Sequence, residues 1–373
     1  MPKSIYYKLR DFLDKLPAGF PATESGVEIK ILKKLFTPEQ ATIALQLRSK
    51  AEPVSAIAPR FKMDHVQAAE KLEAMAKEGL IYRTRVNGQP FYMALQFVVG
   101  IYEFHLNTLD RELAELMEEY FPYIAKFWES TKTKQLRVIP IGASLSSTPL
   151  VSTYDQVRAL VKGKKLIAVA PCICQKEQLL IGNSCDRPAE RCLVFDEAAE
   201  YYLENTLGRK IGEEELLSIL KMGEEKALVL SPTNAKDILN ICMCCGCCCG
   251  MLRLLKKFPK PAEHIQASFH AQITPDLCNV CGACAERCQM EAIIAGTEYY
   301  EINRDRCIGC GLCVTACPVE AITLKTKSKP PQIPDTFMEM QVKIAKERGI
   351  FFIARLLVAR LTRFVNGALG KVI

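Results

Sequence analysis

Eighteen cysteines are the residues of this chain whose type and spacing could do chemistry. Eight of them lie in residues 278–293 and 307–322, which read CNVCGACAERCQMEAI and CIGCGLCVTACPVEAI. The two stretches align without a gap, and each has the spacing C-x2-C-x2-C-x3-C. A cubane iron–sulfur cluster needs four thiolates, and three cysteines spaced by two residues can contact one side of it. The repeat therefore predicts two [4Fe–4S] clusters.

The fourth cysteine of each repeat is expected to ligate the cluster of the other repeat, as in two-cluster ferredoxins. We therefore predict one cluster on Cys278, Cys281, Cys284 and Cys317, and a second on Cys307, Cys310, Cys313 and Cys288. Gly282 and Gly311 would let the backbone approach the inorganic sulfur. Gln289 stands where the second repeat has Pro318, so the turn after Cys288 is less constrained. Paired C-x2-C units also form zinc ribbons, but the x3-C extension and the repetition favour iron–sulfur.

Residues 271–328 resemble bacterial-type dicluster ferredoxins through these two motifs. The resemblance implies a small βαββαβ-like fold with pseudo-twofold symmetry and two closely spaced clusters. It also implies that the segment transfers single electrons.

Ten further cysteines lie in residues 136–258 and form two groups along the chain. The first group has the spacing C-x-C-x10-C-x6-C, and the second has six cysteines in eight residues: Cys172, Cys174, Cys185 and Cys192, then Cys242, Cys244, Cys245, Cys247, Cys248 and Cys249. Adjacent side chains point in different directions, so one short element cannot bury all six in one core. We therefore expect metal ligands, forming one or two further [4Fe–4S] clusters. A single site built from both groups, and structural zinc at one or both groups, are the alternatives.

The central pattern resembles the middle portion of multi-cluster ferredoxin-like proteins of strict anaerobes. These share a C-x-C…C…C segment, a CC-x-CCC segment and a C-terminal dicluster ferredoxin, a match that would span residues 136–325. The resemblance implies electron transfer within a larger redox system. We therefore expect a subunit or adaptor of an anaerobic redox enzyme system, with redox proteins as partners. An oxidoreductase with a catalytic cluster at the central cysteines is an alternative.

Residues 53–95 resemble a winged helix-turn-helix. Helices are expected at Pro53–Phe61 and Asp64–Glu78, followed by a hairpin that turns at Asn87-Gly88. The second helix mixes acidic and basic side chains, whereas affinity for DNA depends on Lys and Arg. Arg83 and Arg85 in the wing are the best contacts available. We expect no nucleic-acid partner, and a redox-responsive DNA-binding regulator is the second functional hypothesis.

Both helices and strands are expected around these cysteines, so we predict an α+β, multidomain chain. We predict a winged-helix-like domain (1–97), a helical connector (98–135), a mixed α/β cysteine-rich domain (136–258), the dicluster domain (271–328) and a basic amphipathic tail (335–373). Strands are expected at Arg137–Ile141, Lys165–Ala170 and Ala227–Leu230. Cys172 and Cys174 would then follow a strand, at the end where α/β ligand sites gather.

The net charge of +7 comes from residues 321–373, the tail and the stretch before it, which hold 10 basic and 3 acidic residues. Around Ile350–Phe364, three arginines share one face and apolar side chains another. Such a helix can make peripheral contact with an anionic membrane, pack on a partner, or pack on its own protein. The chain shows no secretory signal and no apolar span of about eighteen residues. We therefore expect a cytoplasmic protein with reduced thiols, which favours metal over disulfides.

Overall fold

The computed structural model describes residues 4–145 and 156–350. The chain divides into two compact units, Met1–Thr133 with Met338–Ile373, and Lys134–Phe337. Both helices and strands are present, so the α+β class is confirmed, whereas the five-part layout stays a prediction. Within the described residues, no helix is both long enough and apolar enough to cross a membrane.

The first unit is mostly helical and carries one small sheet. Its elements are α1 (Ile5–Asp14), α2 (Val27–Leu35), α3 (Pro38–Ala44), β1 (Glu52–Pro53), α4 (Val54–Phe61), α5 (His65–Lys77), β2 (Tyr82–Val86), β3 (Gln89–Met93), α6 (Tyr102–Phe104) and α7 (Arg111–Ser130). Asp64 caps α5 by accepting a 2.9 Å hydrogen bond from the Gln67 N–H. Asn87 and Gly88 both have positive φ, which this hairpin turn requires. The predicted helices and hairpin are confirmed, and the sheet order is β1-β3-β2.

Arg83 does not lie on the surface of this hairpin. Its side chain is buried, and its guanidinium donates a 2.6 Å hydrogen bond to the Glu73 carboxylate on α5. Glu73 also accepts a 2.9 Å hydrogen bond from the Tyr92 hydroxyl. A buried cation needs a paired anion. Arg83 is therefore not available as one of the two wing contacts that DNA binding would use, while the winged-helix resemblance and the absence of a nucleic-acid partner stay predictions.

The second unit contains a five-stranded antiparallel sheet with the order β6-β4-β5-β8-β7. The elements are α8 (Val157–Val161), β4 (Ile167–Pro171), α9 (Ile173–Leu180), β5 (Glu190–Phe195), α10 (Asp196–Glu204), β6 (Arg209–Lys210), α11 (Glu213–Glu225), β7 (Val229–Pro232), β8 (Asn240–Cys244) and α12 (Gly250–Lys257). Residues 137–141 make only isolated bridges, to Gln266 and Leu230 among others, so the strand predicted there is wrong. The strands predicted near 165–170 and 227–230 are confirmed as β4 and β7, with shifted bounds.

This sheet brings cysteines together in a way that a parallel sheet would not. Because neighbouring strands run in opposite directions, the carboxyl end of β4 meets the amino end of β5 and the carboxyl end of β8. Cys192 of β5 and Cys242 of β8 are directly paired in the ladder. Cys172 and Cys174 follow β4 as predicted. They lie near the other central cysteines because β4, β5 and β8 are antiparallel neighbours, and not because parallel strands end at the same edge of a sheet.

The ferredoxin segment contains β9 (Phe269–Ile273), α13 (Ala283–Arg287), β10 (Ile293–Ala295), β11 (Tyr300–Ile302) and β12 (Ile322–Thr326). Strands β9 and β12 pair with each other, and so do β10 and β11. Residues 312–316 form turns where the resemblance implies a second helix. The remaining order agrees with the implied fold.

The last described helix, α14 (Phe337–Glu347), leads back into the first unit. The Glu347 carboxylate accepts 2.8 Å hydrogen bonds from the Lys132 and Thr133 N–H groups. The Arg348 guanidinium lies 4.6 Å from the Phe127 ring. The amphipathic face expected in residues 350–364 lies almost wholly outside the described residues, so its membrane, partner and self-packing alternatives stay predictions.

Candidate metal centres

The two ferredoxin repeats turn at the same positions. Residues with left-handed φ angles occupy equivalent positions in both: Val280 and Gly309, Gly282 and Gly311, Glu291 and Glu320. At Gly309 a side chain is also excluded by space, because a Cβ would lie 2.2 Å from the Phe269 carbonyl oxygen. The repeat in the sequence is therefore a repeat in conformation.

Backbone amides donate to the sulfur of the fourth cysteine in both repeats. The Ala292 N–H lies 3.2 Å from the Cys288 Sγ, and the Ala321 N–H lies 3.2 Å from the Cys317 Sγ. The Ala271 N–H of β9 lies 3.4 Å from the Cys307 Sγ. Donors of this kind stabilise a thiolate relative to a thiol and tune a ligated sulfur. These sulfurs therefore suit a metal–sulfur centre.

The fourth cysteine of each repeat lies near the other repeat. Burial raises the pKa of Cys284, and the nearby thiols Cys281 and Cys317 raise it further. Burial also raises the pKa of Cys310 to about 12, with Cys288 and Cys307 as the thiols that add to it. This arrangement agrees with the crossed ligand sets, which stay a prediction.

The two predicted sets differ in exposure to solvent. Cys281 is exposed, whereas Cys307 and Cys313 are buried. Three apolar side chains lie within two residues of cysteines of the set that contains Cys281. They are Leu277, Val280 and Val319, which are 53%, 42% and 38% exposed. We call Cys278, Cys281, Cys284 and Cys317 the outer set, and Cys288, Cys307, Cys310 and Cys313 the inner set.

The ten central cysteines form two groups in space, and each draws on both groups of the sequence. Four of them have sulfurs that all lie within 4.8 Å of one another: Cys185, Cys245, Cys247 and Cys248. We call these the tetrathiol group. Cys185 comes from the loop between α9 and β5, and the other three follow β8 directly. The Cys247 side chain is exposed, and those of Cys245 and Cys248 are buried.

The other six cysteines form a chain of interacting thiols around the ends of β4, β5 and β8. In order of contact they are Cys172, Cys174, Cys249, Cys244, Cys242 and Cys192, and we call them the six-thiol group. The Cys174 and Cys244 thiols donate to Cys249 and lower its pKa to about 5. Cys249 is also the N-cap residue of α12, and a helix N-terminus stabilises a thiolate. Cys172 is the N-cap residue of α9, but the Cys174 side chain and burial raise its pKa.

Arg191 lies between the two groups and is 1% exposed. It is the extra residue of a β-bulge, since Ala170 pairs with Cys192 while Pro171 pairs with Glu190. A bulge re-aims a side chain that regular pairing would direct elsewhere. The Arg191 Nη2 donates to the Cys245 Sγ at 3.4 Å, and the Cys172 thiol lies close to the same guanidinium. The Cys248 thiol, together with Arg191, lowers the pKa of Cys245 to about 4.

The loop that carries Cys185 is held by α9. The buried Gln175 amide donates to the carbonyl oxygens of Cys185 (3.3 Å) and Arg187 (2.7 Å). Gln175 follows Cys174 directly. The same turn of α9 therefore carries Cys174 of the six-thiol group and the side chain that holds the loop of Cys185, a member of the tetrathiol group.

The ferredoxin segment contacts the tetrathiol loop through the residue that departs from the repeat. Gln289 accepts a 2.7 Å hydrogen bond from the buried Gly246 N–H through its Oε1. A Cβ at position 246 would lie 2.6 Å from the Gln289 carbonyl oxygen, so the contact requires glycine. Lys256 of α12 and Glu291 add an ion pair at 2.9 Å. Gln289 thus links the inner-set residue Cys288 to the loop of Cys245 and Cys247.

The alternatives left open for the central cysteines are narrowed by this arrangement. The thiols do not separate by sequence group: there are two groups in space, each built from both, and which of them hold metal stays a prediction. The structure also adds Arg191, Gln175 and Gln289 as supporting residues. Only Gln289 had a signal in the sequence, as a departure from the repeat.

Comparison with known proteins gives one match. Residues 300–323 match the family described as a 4Fe-4S binding domain, and this range holds Cys307, Cys310, Cys313 and Cys317. Neither the curated proteins nor the solved structures give a match. The chain therefore has a segment similar to 4Fe–4S binding domains beside a cysteine-rich region, and the two together indicate iron–sulfur electron transfer.

Proposed function

We propose that this chain transfers electrons through two [4Fe–4S] clusters of the ferredoxin segment and one further cluster in the central sheet. When bound, such a cluster supplies a site that takes up and releases one electron at a time. The observation that carries the proposal is the matched pair of loops, with left-handed φ angles at three equivalent positions and N–H···S distances of 3.2 Å at both Cys288 and Cys317.

The outer set is where a redox partner would exchange electrons. Cys281 is exposed, and Leu277, Val280 and Val319 present apolar surface beside the cysteines of this set. Protein interfaces use apolar side chains at their centre. The partner that binds this surface is a redox protein of an anaerobic system, in which this chain serves as a subunit or adaptor.

The inner set leads towards the central domain. Gln289 follows the ligand Cys288 in sequence and is hydrogen bonded to Gly246. Beyond this loop, the six-thiol group offers more than the four thiolates that a cubane requires. Its sulfurs would hold the central cluster, with two thiols in excess.

The test is an anaerobic redox titration of the full chain followed by electron paramagnetic resonance. We expect reversible one-electron signals from two interacting clusters, and a third signal that the combined substitution Cys242→Ser, Cys244→Ser and Cys249→Ser removes while the first two remain. Cys310→Ser should instead alter the interacting pair. A chain that shows no reversible one-electron signal would refute the proposal.

A further inference from the structure

We infer that the tetrathiol group binds a single tetrahedral metal ion, Zn²⁺ or Fe²⁺, and not an iron–sulfur cluster. Sγ–Sγ distances carry this inference. With metal–sulfur bonds of about 2.3 Å, the sulfurs of a tetrahedral site are about 3.8 Å apart. The structure has 3.7 Å between Cys247 and Cys248, 3.8 Å between Cys185 and Cys247, and 4.0 Å between Cys185 and Cys245.

A cubane would need a wider frame. Each of its thiolates bonds a different iron, and the irons and sulfides fill the space between them. Within the part of the chain that the structure describes, the tetrathiol group is the one set of ligand atoms that all lie within 4.8 Å of each other. Among the ferredoxin cysteines, four of which fall in the 4Fe-4S match, no three have sulfurs that all lie within 4.8 Å of one another. One chain thus shows two sulfur spacings, which suit two kinds of centre.

Charge supports a tetrathiolate metal centre at this position. Four thiolates around a divalent ion leave a net charge of about −2. The buried Arg191 guanidinium donates to the Cys245 Sγ, and Arg187 lies near Cys185 and Cys247. The two arginines offset that charge, and the sulfur spacing decides for a single ion and against a cluster.

Such an ion would cross-link Cys185, in the loop after α9, to the loop after β8. The Gly246 N–H of that second loop donates to Gln289. Zinc would fix these loops only, whereas iron would also exchange one electron. The inference goes beyond the proposed electron transfer and does not depend on it, because a single ion can bind here whether or not the clusters are redox-active.

The first test measures zinc, iron and acid-labile sulfide in the full chain, purified anaerobically. The double substitution Cys247→Ser and Cys248→Ser should remove about one metal ion per chain and no sulfide. The matched control, Cys242→Ser, Cys244→Ser and Cys249→Ser in the six-thiol group, leaves three thiols, too few for a cubane, and should remove iron and sulfide together. A tetrathiol variant that loses about four irons with about four sulfides, or loses no metal, overturns the inference.

A second test uses the unmodified chain, in case the variant does not fold. X-ray absorption at the zinc edge should show a shell of about four sulfurs at about 2.3 Å with no neighbouring metal. If the ion is iron, Mössbauer spectroscopy should show one high-spin mononuclear iron apart from the cluster iron. Either result supports the inference. Iron found only in clusters, with no bound zinc, overturns it.

Discussion

Replacing Arg191 by methionine should weaken metal binding by the tetrathiol group. The guanidinium lies 3.4 Å from the Cys245 Sγ, and at an effective dielectric constant of about 20 the attraction to a thiolate is about 5 kcal/mol. Water that enters the vacated space will replace part of this attraction. Loss of a group that supports a metal ligand costs about 10–100-fold in affinity. We therefore expect a loss of about 1.4–2.7 kcal/mol.

The assay is anaerobic competition with a chromophoric chelator at neutral pH, on the full chain. Arg191→Met should release the ion at a chelator concentration about 10–100-fold below that needed for the wild type. Arg191→Lys should be intermediate, because it keeps the charge and loses the planar donor geometry. Arg209→Met is the matched control, since this arginine of β6 is exposed and pairs with Glu190 and Glu215. An Arg191→Met chain that retains its metal as the wild type does refutes the assigned role of Arg191.

Three further changes test other contacts. Gln289→Ala leaves the buried Gly246 N–H without its acceptor, at a cost of about 1–3 kcal/mol, and should speed hydrogen exchange in the tetrathiol loop. Arg83→Ala leaves Glu73 with only the Tyr92 hydroxyl and a 3.9 Å ion pair to Lys77, and should destabilise the chain by about 1–3 kcal/mol, measured by thermal unfolding. Burial raises the pKa of Glu177 to about 7, so stability falls as pH rises from about 4.5 to about 7. Glu177→Gln should therefore raise the melting temperature at pH 8, with the gain vanishing near pH 4.5.

Each of these changes has a matched control. Pro318→Ala, at the equivalent turn of the second repeat, should leave exchange in the tetrathiol loop unchanged. Arg85→Ala should cost much less than Arg83→Ala, because Arg85 is only half-buried. Glu213→Gln, on an exposed position of α11, should give no pH-dependent gain. Equal effects of a variant and its control would mean that the named contact is not the cause.

The parts of the site that depend on local sequence could be predicted. The ferredoxin loops are such a case, because the cysteine spacing and the glycines at positions 282 and 311 fix the local backbone. The helix cap at Asp64 and the hairpin turn at Asn87-Gly88 act over a few residues, and both were predicted.

The grouping of the central cysteines depends on strand register, which their spacing does not encode. Cys192 and Cys242 meet because β5 and β8 are antiparallel neighbours, and neither strand was predicted. Arg191 reaches Cys245 through a bulge in the neighbouring ladder, between β4 and β5. The burial of Arg83 could not be predicted for a similar reason, since it depends on how the hairpin packs on Glu73.

The central claim is that the two ferredoxin repeats bind [4Fe–4S] clusters for electron transfer. Its most direct test is iron and acid-labile sulfide analysis of the anaerobically purified chain, combined with paramagnetic resonance of the reduced protein. We predict at least about eight irons and about eight sulfides per chain, with the spectrum of two magnetically interacting clusters. Zinc without sulfide at these eight cysteines, and no paramagnetic signal on reduction, would contradict the claim.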